Sequence, residues 1–277
     1  MKAQSSARAG RAVETDRALL RDNIGSIAVL TLNRPKSRNT LTEAVLGALA
    51  DELTAIAQTD SVRVVILAAK GPAFSGGHDL KELTARRSDP DGGRAYFHHI
   101  MLTCSAMMQQ IVRLPQPVIA AVQGTATAAG CQLVASCDLA VASAEAKFGV
   151  SGINAGLFCS TPMAPLSRNV ARKHAMEMLL TGDLISAPEA FRIGLVNRVV
   201  PAGDEFDSAL ALARKIAGKS SHVVKIGKEA FYRQLEMSLD DAYRYTAEVM
   251  VENMMARDAK EGISAFVEKR PAKWEDR

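Results

Sequence analysis

Apolar residues in the first part of the chain recur in two alternating patterns. Short β-branched runs predict strands over residues 24–32, 62–69, 117–122 and 138–142, two of them apolar enough to be buried on both faces. Apolar positions at helical spacing predict helices over residues 42–58, 80–87 and 95–113, and the small residues 125–130 open another helix. Strands that alternate with helices are typical of an α/β domain with mostly parallel pairing.

From residue 162 onwards the pattern changes to helices, with one further strand over residues 195–200. We therefore expect a flexible N-terminal tail over residues 1–23, a core over 24–200 and a C-terminal helical region over 201–277. This last region is amphipathic and small. It should pack on the core or on a neighbouring subunit, because its apolar faces exceed what it can bury alone.

Composition and charge exclude several classes of protein. The chain has 277 residues, of which 48% are hydrophobic and 23% charged, as a folded chain with a sizeable core requires. The net charge of +4 comes from scattered lysines and arginines without a basic stripe, which argues against a nucleic-acid partner. No apolar run approaches the roughly 20 residues of a membrane span, so we expect no membrane partner either.

The cysteines, histidines and N-terminus add little chemistry. Cysteines 104, 131, 137 and 159 form no CxxC pair and no metal-ligand spacing, so a reducing compartment and no metal are expected. His98 and His99 are adjacent on a helix and therefore point apart. Residues 1–12 carry three basic residues and no apolar stretch, which excludes a secretory signal but leaves a disordered tail or a short transit peptide open.

Two loops have the composition of sites that stabilise an oxyanion. Gly76-Gly77-His78 and Ala128-Ala129-Gly130 each follow a predicted strand and open a helix. Their backbone N–H groups are therefore unpaired and lie at the positive end of a helix dipole. Two such groups on one carbonyl oxygen would stabilise an enolate or a tetrahedral anion. The alternative is that the small residues only permit tight packing of helix on strand.

Longer strings resemble a known family. The segments 71–83 and 123–133, the latter followed by Cys137-Asp138-Leu139, resemble the two signatures of the crotonase superfamily, the enoyl-CoA hydratase/isomerase fold. The opening segment 32–36, the stretch 187–196 and the ending 266–270 are also similar to that family. The resemblance covers nearly the whole chain beyond residue 23.

The resemblance implies an α/β fold, a spiral of ββα units, with a C-terminal helical region that forms homotrimers or dimers of trimers. It implies an acyl-CoA thioester as ligand, with no separate cofactor because coenzyme A is part of the substrate. The amides of His78 and Ala129 would form the oxyanion hole. The residues implied to bind substrate are Gly76, Asp79, Leu80, Lys81 and Cys159, with Phe266 and Lys269 reaching the site of a neighbour. Such a protein would work in the cytoplasm of a bacterium or in the mitochondrial matrix of a eukaryote.

The chain departs from the family at its acid–base positions. Hydratases of this family use two glutamates, because hydration needs one group to activate water and another to protonate the α-carbon. Gln132 stands at the first of these positions and Gly152 at the second. Neither an amide nor a glycine is an acid or a base near pH 7. We therefore expect acyl-CoA binding and carbonyl polarisation more than hydration.

Three functions stay open. The first is an enoyl-CoA hydratase or isomerase, the second an enzyme of altered chemistry such as a thioester hydrolase, and the third a catalytically silent acyl-CoA binder. Cys159, Ser160 and His78 could replace the glutamates, but no GxSxG motif supports a nucleophile. The alternatives for these residues are a packed thiol, a capping serine and a histidine bonded to Asp79 or to a backbone carbonyl.

Overall fold

A computed structural model describes residues 17–277, and its N-terminal hairpin corrects the predicted tail. Residues 1–16 lie outside the described residues, but Leu19–Ile24 forms strand β1, so a tail over residues 1–23 is too long. The single strand expected over residues 24–32 is wrong as well. Strand β2 is Ile27–Leu32 and pairs antiparallel with β1. The two-residue loop between them contains Gly25 at φ +60°, a conformation that glycine adopts without strain.

A six-stranded sheet forms the centre of the molecule, in the order β1-β2-β3-β5-β7-β10. Its further strands are β3 (Val64–Ala69), β5 (Val118–Val122), β7 (Leu139–Ser143) and β10 (Arg198–Val200). All pairings except β1 with β2 are parallel, as the alternation of strands and helices predicted. The strand expected over residues 195–200 is shorter than predicted, because it pairs with β7 only from Arg198.

A second, four-stranded sheet was not predicted. It consists of β4 (Ala73–Ser75), β6 (Thr125–Thr127), β8 (Lys147–Gly149) and β9 (Ile185–Ser186), in that order. The prediction that residues 125–130 open a helix is therefore wrong at its start, because β6 is extended between β4 and β8. Three times in succession, a strand of the large sheet is followed by a strand of the small sheet and then by helical turns. This is the expected spiral of ββα units.

The helices follow the predicted pattern closely. Those of the core are α1 (Glu43–Ala57), α2 (Leu80–Ala85), α3 (Arg94–Arg113), α4 (Ala129–Ser136), α5 (Ser160–Asn169), α6 (Arg172–Thr181) and α7 (Ala187–Arg192). The C-terminal helices are α8 (Glu205–Ala217), α9 (Ser221–Gln234), α10 (Leu239–Met255) and α11 (Arg257–Val267). Thr42 caps α1 as its sequence indicates, since its hydroxyl accepts the amide of Val45 at 3.3 Å.

The large sheet is buried on both faces. One face packs against the main core, and the other packs against α8 through Ala209, Leu210 and Ala213. Helix α9 is tied to the core by Lys228, whose ammonium lies 2.7 Å from the Asp138 carboxylate. The first two C-terminal helices therefore pack on the core, whereas α10 contains no buried residue. Within residues 17–277, no helix is both long enough and apolar enough to span a membrane.

Candidate functional site

The first glycine loop is held by the segment that precedes α1. The amide of Gly76 donates to the carbonyl of Arg38 at 2.9 Å, and the carbonyl of Gly77 accepts the amide of Leu41 at 2.8 Å. Gly77 has φ +82°, which suits glycine. These bonds use the groups before His78 but leave its own amide without an acceptor among residues 17–277.

Sequence reasoning missed two residues that support this loop, Asn39 and Ser75. Asn39 is buried at φ +51°, and its Nδ2 donates to the carbonyls of Lys70 and Ala73 at 2.9 and 2.8 Å. The Ser75 hydroxyl donates to the Asn39 carbonyl at 2.9 Å and accepts the amide of Gly77 at 3.3 Å. Asn39 could have been found from the sequence, because asparagine tolerates the left-handed conformation better than most other residues with a side chain do.

The second loop presents an amide at the N-terminus of α4. Ala128 has φ +50° and ψ −121°, a strained conformation for a residue with a side chain. Its amide donates to the Gly149 carbonyl at 2.9 Å, while the next amide, that of Ala129, has no acceptor within the described part of the chain. Strain of this kind persists where the surrounding structure fixes it, often at binding sites.

The two loops touch. A Cβ built on Gly77 would lie 3.0 Å from the Ala129 nitrogen, and a Cβ built on Gly130 would lie 2.2 Å from the Ser75 carbonyl oxygen. The small residues thus permit tight packing, as the alternative interpretation held. That same packing brings the amide-bearing loops together, so the two interpretations are compatible.

The start of α2 continues the first loop. The Asp79 carboxylate caps α2, accepting the amides of Lys81 at 2.9 Å and Glu82 at 3.3 Å, and it also accepts the Thr40 hydroxyl at 3.1 Å. Burial acts to raise the pKa of Asp79, but these hydrogen bonds outweigh it, and the pKa lies below its usual value. Leu80 and Lys81 are exposed on the outside of this turn.

Of the two partners expected for the His78 side chain, the Asp79 carboxylate is not one, whereas a backbone carbonyl, that of Leu41, lies beside the imidazole. Both of its ring nitrogens are inaccessible and have no hydrogen bond within residues 17–277, and the Asp79 carboxylate is engaged elsewhere. Burial lowers the pKa of His78, and the nearby Leu41 carbonyl opposes this with a smaller effect. The imidazole is therefore neutral near pH 7, with one donor and one acceptor.

Of the two positions expected for glutamates, Gln132 is buried and Gly152 is half-buried. Gln132 lies on α4, 3% exposed, and its Oε1 has no hydrogen-bond partner in the described chain. Gly152 lies in a 3₁₀ turn over Ser151–Ala155, and its amide donates to the Cys159 sulfur at 3.3 Å. A Cβ on Gly152 would lie 2.6 Å from the Leu157 carbonyl oxygen and 2.8 Å from that sulfur.

The thiols near these positions are unreactive ones. Burial raises the pKa of Cys159, against a smaller effect of the Gly152 amide, and burial also raises the pKa of Cys131 to about 12. Both thiols are therefore protonated near pH 7. No group of three or more histidine, cysteine, aspartate or glutamate residues able to hold a metal lies within residues 17–277.

Phe266 and Lys269 form no hydrogen bond with these loops. Both are exposed at the end of α11, and Phe266 is 85% exposed. No hydrogen bond or ion pair among the described residues joins either of them to the loops around His78 and Ala129. Their role in substrate binding therefore stays a prediction.

Comparison with known proteins decides the family. The model of the enoyl-CoA hydratase/isomerase family matches residues 22–277. The chain belongs to the enoyl-CoA hydratase/isomerase family. It is 46% identical, over 96% of its length and 86% of the relative's, to the mitochondrial enoyl-CoA hydratase domain-containing protein 3 of Homo sapiens. The strings at residues 128–138 and 156–162 resemble this subgroup of the family, and the subgroup is thereby confirmed.

Solved structures of the family share the fold. An enoyl-CoA hydratase from Mycobacterium smegmatis superimposes with a TM-score of 0.90 at 50% identity, covering 94% of this chain and 99% of that one. The crystal structure of the human enoyl-CoA hydratase domain-containing protein 3 gives a TM-score of 0.89 at 47% identity, covering 93% of this chain and all of that one. The crotonase fold expected from the sequence is confirmed.

Proposed function

We propose that this family member binds an acyl-CoA thioester and polarises its carbonyl group between the amides of His78 and Ala129, but hydrates enoyl-CoA poorly. The observation that supports it is the pair of unpaired amides on two loops in direct contact. Each net hydrogen bond of this kind contributes about 0.5–1.5 kcal/mol to binding. Each would contribute more to an oxyanion, since removal of one such donor typically costs ~3 kcal/mol of transition-state stabilisation.

The proposal of poor hydration rests on the other two positions. The uncharged amide of Gln132 cannot take a proton from water, and the space beside Gly152 is filled by the Leu157 carbonyl and the Cys159 sulfur. A positioned acid or base usually contributes ~10²–10⁴ in rate for each role. Both roles lack a carboxylate here, and the raised pKa of Cys159 leaves no thiolate to replace one.

The CoA portion of the ligand would extend along α2, past Gly76 and Asp79 to Leu80 and Lys81. An exposed lysine supplies a compact positive charge for CoA phosphates. Phe266 and Lys269 would complete the site from a second copy, which requires a homotrimer or a dimer of trimers. Large apolar side chains on α10 and α11, including Tyr243 and Met255 at 72% and 79% exposure, supply the surface for that contact.

The test of the binding proposal compares two ligands that differ only at the carbonyl group. Calorimetry should show butyryl-CoA binding about fivefold or more tightly than its thioether analogue S-butyl-CoA, because two hydrogen bonds to the carbonyl are worth at least that factor. Equal affinities would refute the oxyanion hole. Light scattering at micromolar concentration that returned the mass of one chain would refute the assembly.

A second candidate, thioester hydrolysis, is favoured by the neutral His78 imidazole, which belongs to the loop that carries one of the two amides. Here the ring would activate water while the same two amides hold the carbonyl. A free-thiol assay for released CoA distinguishes this function from silent binding, and His78→Ala tests the residue. If release occurs and stops in the variant while butyryl-CoA still binds, the imidazole is catalytic. If the protein binds butyryl-CoA without releasing CoA, this candidate is excluded.

A further inference from the structure

The turn after α11 has a lysine where helix ends usually have glycine. The amide of Arg270 donates to the Ala265 carbonyl at 2.9 Å, and the amide of Lys269 donates to the Phe266 carbonyl at 3.2 Å. These two bonds form a Schellman cap, in which Lys269 has the left-handed conformation at φ +55°. Glycine is preferred at this position because a side chain strains the backbone there.

Helix α7 ends in the same cap and has the usual residue. The amide of Gly194 donates to the Phe191 carbonyl at 3.1 Å, and Gly194 has φ +86°. The amide of Leu195 donates to the Ala190 carbonyl at 2.8 Å. The two caps share their hydrogen bonds and differ in the residue that takes the left-handed conformation. The need for a cap therefore does not explain the lysine after α11.

The Lys269 side chain has no structural role among the described residues. It is exposed, and its ammonium group forms no hydrogen bond and no ion pair within residues 17–277. Phe266 and Val267, just before it, are 85% and 73% exposed. A strained residue persists where its surroundings fix it, often because the site is used. The cap thus holds a cation and two apolar side chains on the outside of the molecule.

A carboxylate on α11 fixes the chain around this cap. The two oxygens of Glu261 accept the Arg270 guanidinium at 2.6 and 3.0 Å, and Oε1 also accepts the amide of Lys273 at 2.8 Å. These bonds, those of Arg270 first, lower the pKa of Glu261 to about 2, so it is charged at neutral pH. Exposed ion pairs contribute little in general, but a bidentate arginine in a network is the exception.

We propose that Glu261 is a positioning residue, which holds the cap so that Lys269 reaches the CoA phosphates bound to a second copy of the chain. The proposal rests on the acyl-CoA function and the assembly proposed above. A lysine whose backbone is already fixed loses less conformational freedom on binding than one on a mobile segment. The strain at Lys269 is then a cost in stability that is offset by binding.

The first test separates stability from binding at Lys269. At a fixed protein concentration, Lys269→Gly should raise the midpoint of urea unfolding, because glycine removes the strain of the cap. In calorimetry, the same variant should bind butyryl-CoA about fivefold or more weakly, because a charged hydrogen bond to a phosphate is lost. Affinity equal to that of wild type, or a lower midpoint, would overturn the inference.

The second test asks whether Glu261 acts through Lys269. Glu261→Gln, and Arg270→Lys with its single ammonium, should each weaken butyryl-CoA binding about threefold or more. Neither should weaken it further when combined with Lys269→Gly. Glu189→Gln is the matched control, because Glu189 holds Arg192 in the same bidentate way on α7, and it should keep the wild-type affinity.

Three results of this second test would overturn the inference: wild-type affinity in both Glu261→Gln and Arg270→Lys, a full further loss when they are combined with Lys269→Gly, or dissociation to single chains in light scattering. The affinity ratio between butyryl-CoA and S-butyl-CoA should stay as in wild type in all variants. Equal wild-type affinities for these two ligands would refute the oxyanion hole alone. A wild-type protein that does not bind CoA would refute the acyl-CoA function and this inference with it.

Discussion

Two successive turns of the spiral end in loops that differ in whether a backbone amide has a hydrogen-bond acceptor. After β6, the strained Ala128 turns the chain so that the Ala129 amide has no acceptor in the described structure. After β8, the chain closes on itself, and the Gly152 amide donates to the Cys159 sulfur. The loop after β6 leaves an unpaired donor, whereas the loop after β8 leaves neither an unpaired donor nor space. Under the function proposed above, the same ββα architecture would keep carbonyl binding while losing the position of a catalytic side chain.

The largest loss of stability is expected from a substitution that fills the contact between the loop after β6 and the Ser75 carbonyl. Gly130→Ala places a Cβ 2.2 Å from the Ser75 carbonyl oxygen, a backbone atom that cannot move alone. We expect about 3 kcal/mol of lost stability in urea unfolding, and loss of the preference for thioester over thioether.

Gly47→Ala is the matched control, because Gly47 lies inside α1 with nothing within 4 Å of a built Cβ. It should be neutral or stabilising by up to about 1 kcal/mol, since alanine is the better helix former. A Gly130→Ala variant as stable as this control would show that the two loops do not depend on their contact.

A smaller loss of stability is expected from a substitution in the loop after β8. Gly152→Glu must displace the Leu157 carbonyl and the Cys159 sulfur, and should cost about 2 kcal/mol in urea unfolding. The carboxylate does not reach a working position at this backbone, so Gly152→Glu alone should not raise crotonyl-CoA hydration, and the double variant with Gln132→Glu should hydrate no faster than Gln132→Glu by itself. A double variant whose hydration exceeds the product of the single effects would contradict this account of the loop.

Gln132→Glu should have a moderate effect on rate. The side chains are nearly isosteric, and a single restored carboxylate serves one of the two proton transfers, so we expect a gain in crotonyl-CoA hydration of at most about tenfold. Burial without a partner raises the pKa of a carboxyl group, so the gain should grow with pH above the usual glutamate range. A gain that is independent of pH would mean that this position is solvated.

The smallest effect is expected at the cap of α2. Asp79→Ala should cost about 1 kcal/mol at pH 7, whereas Asp79→Asn should cost only a few tenths. Because the pKa of Asp79 is below its usual value in the folded protein, its carboxylate stabilises above the usual aspartate pKa, and that stabilisation disappears as the pH falls through the folded pKa. The difference between wild type and Asp79→Ala in urea unfolding should therefore narrow on acidification. A difference that stays constant down to about pH 3 would contradict the role of the charge.

The large sheet could be predicted from the sequence because its strands are continuous apolar runs, as at Val64–Ala69. The small sheet could not. Its strands have two or three residues, as at Ala73–Ser75, which is too short for a pattern of period two to appear. Strand β1 was missed because Arg21 and Asp22 place charges on an edge strand with one buried residue.

The sequence predicted where the loops of the candidate site lie, but not the contacts that the residues of these loops make. The glycine and alanine strings located both amide-bearing loops, since small residues before a helix indicate close approach of a ligand or of backbone. The positive φ of Ala128, a residue with a side chain, leaves no trace in composition. The packing of Cys159 and Leu157 against Gly152 depends on how residues 151–159 turn, which spacing alone does not encode.

The most direct test of the central claim is the turnover of crotonyl-CoA by the wild-type protein, followed by loss of enoyl absorbance in a preparation that binds this ligand. We expect tight binding with turnover at least about 100-fold below the typical enzyme median of ~10 s⁻¹, because both carboxylates are absent. Turnover within about tenfold of that median would contradict it. Some other group of this chain would then have to supply the two proton transfers.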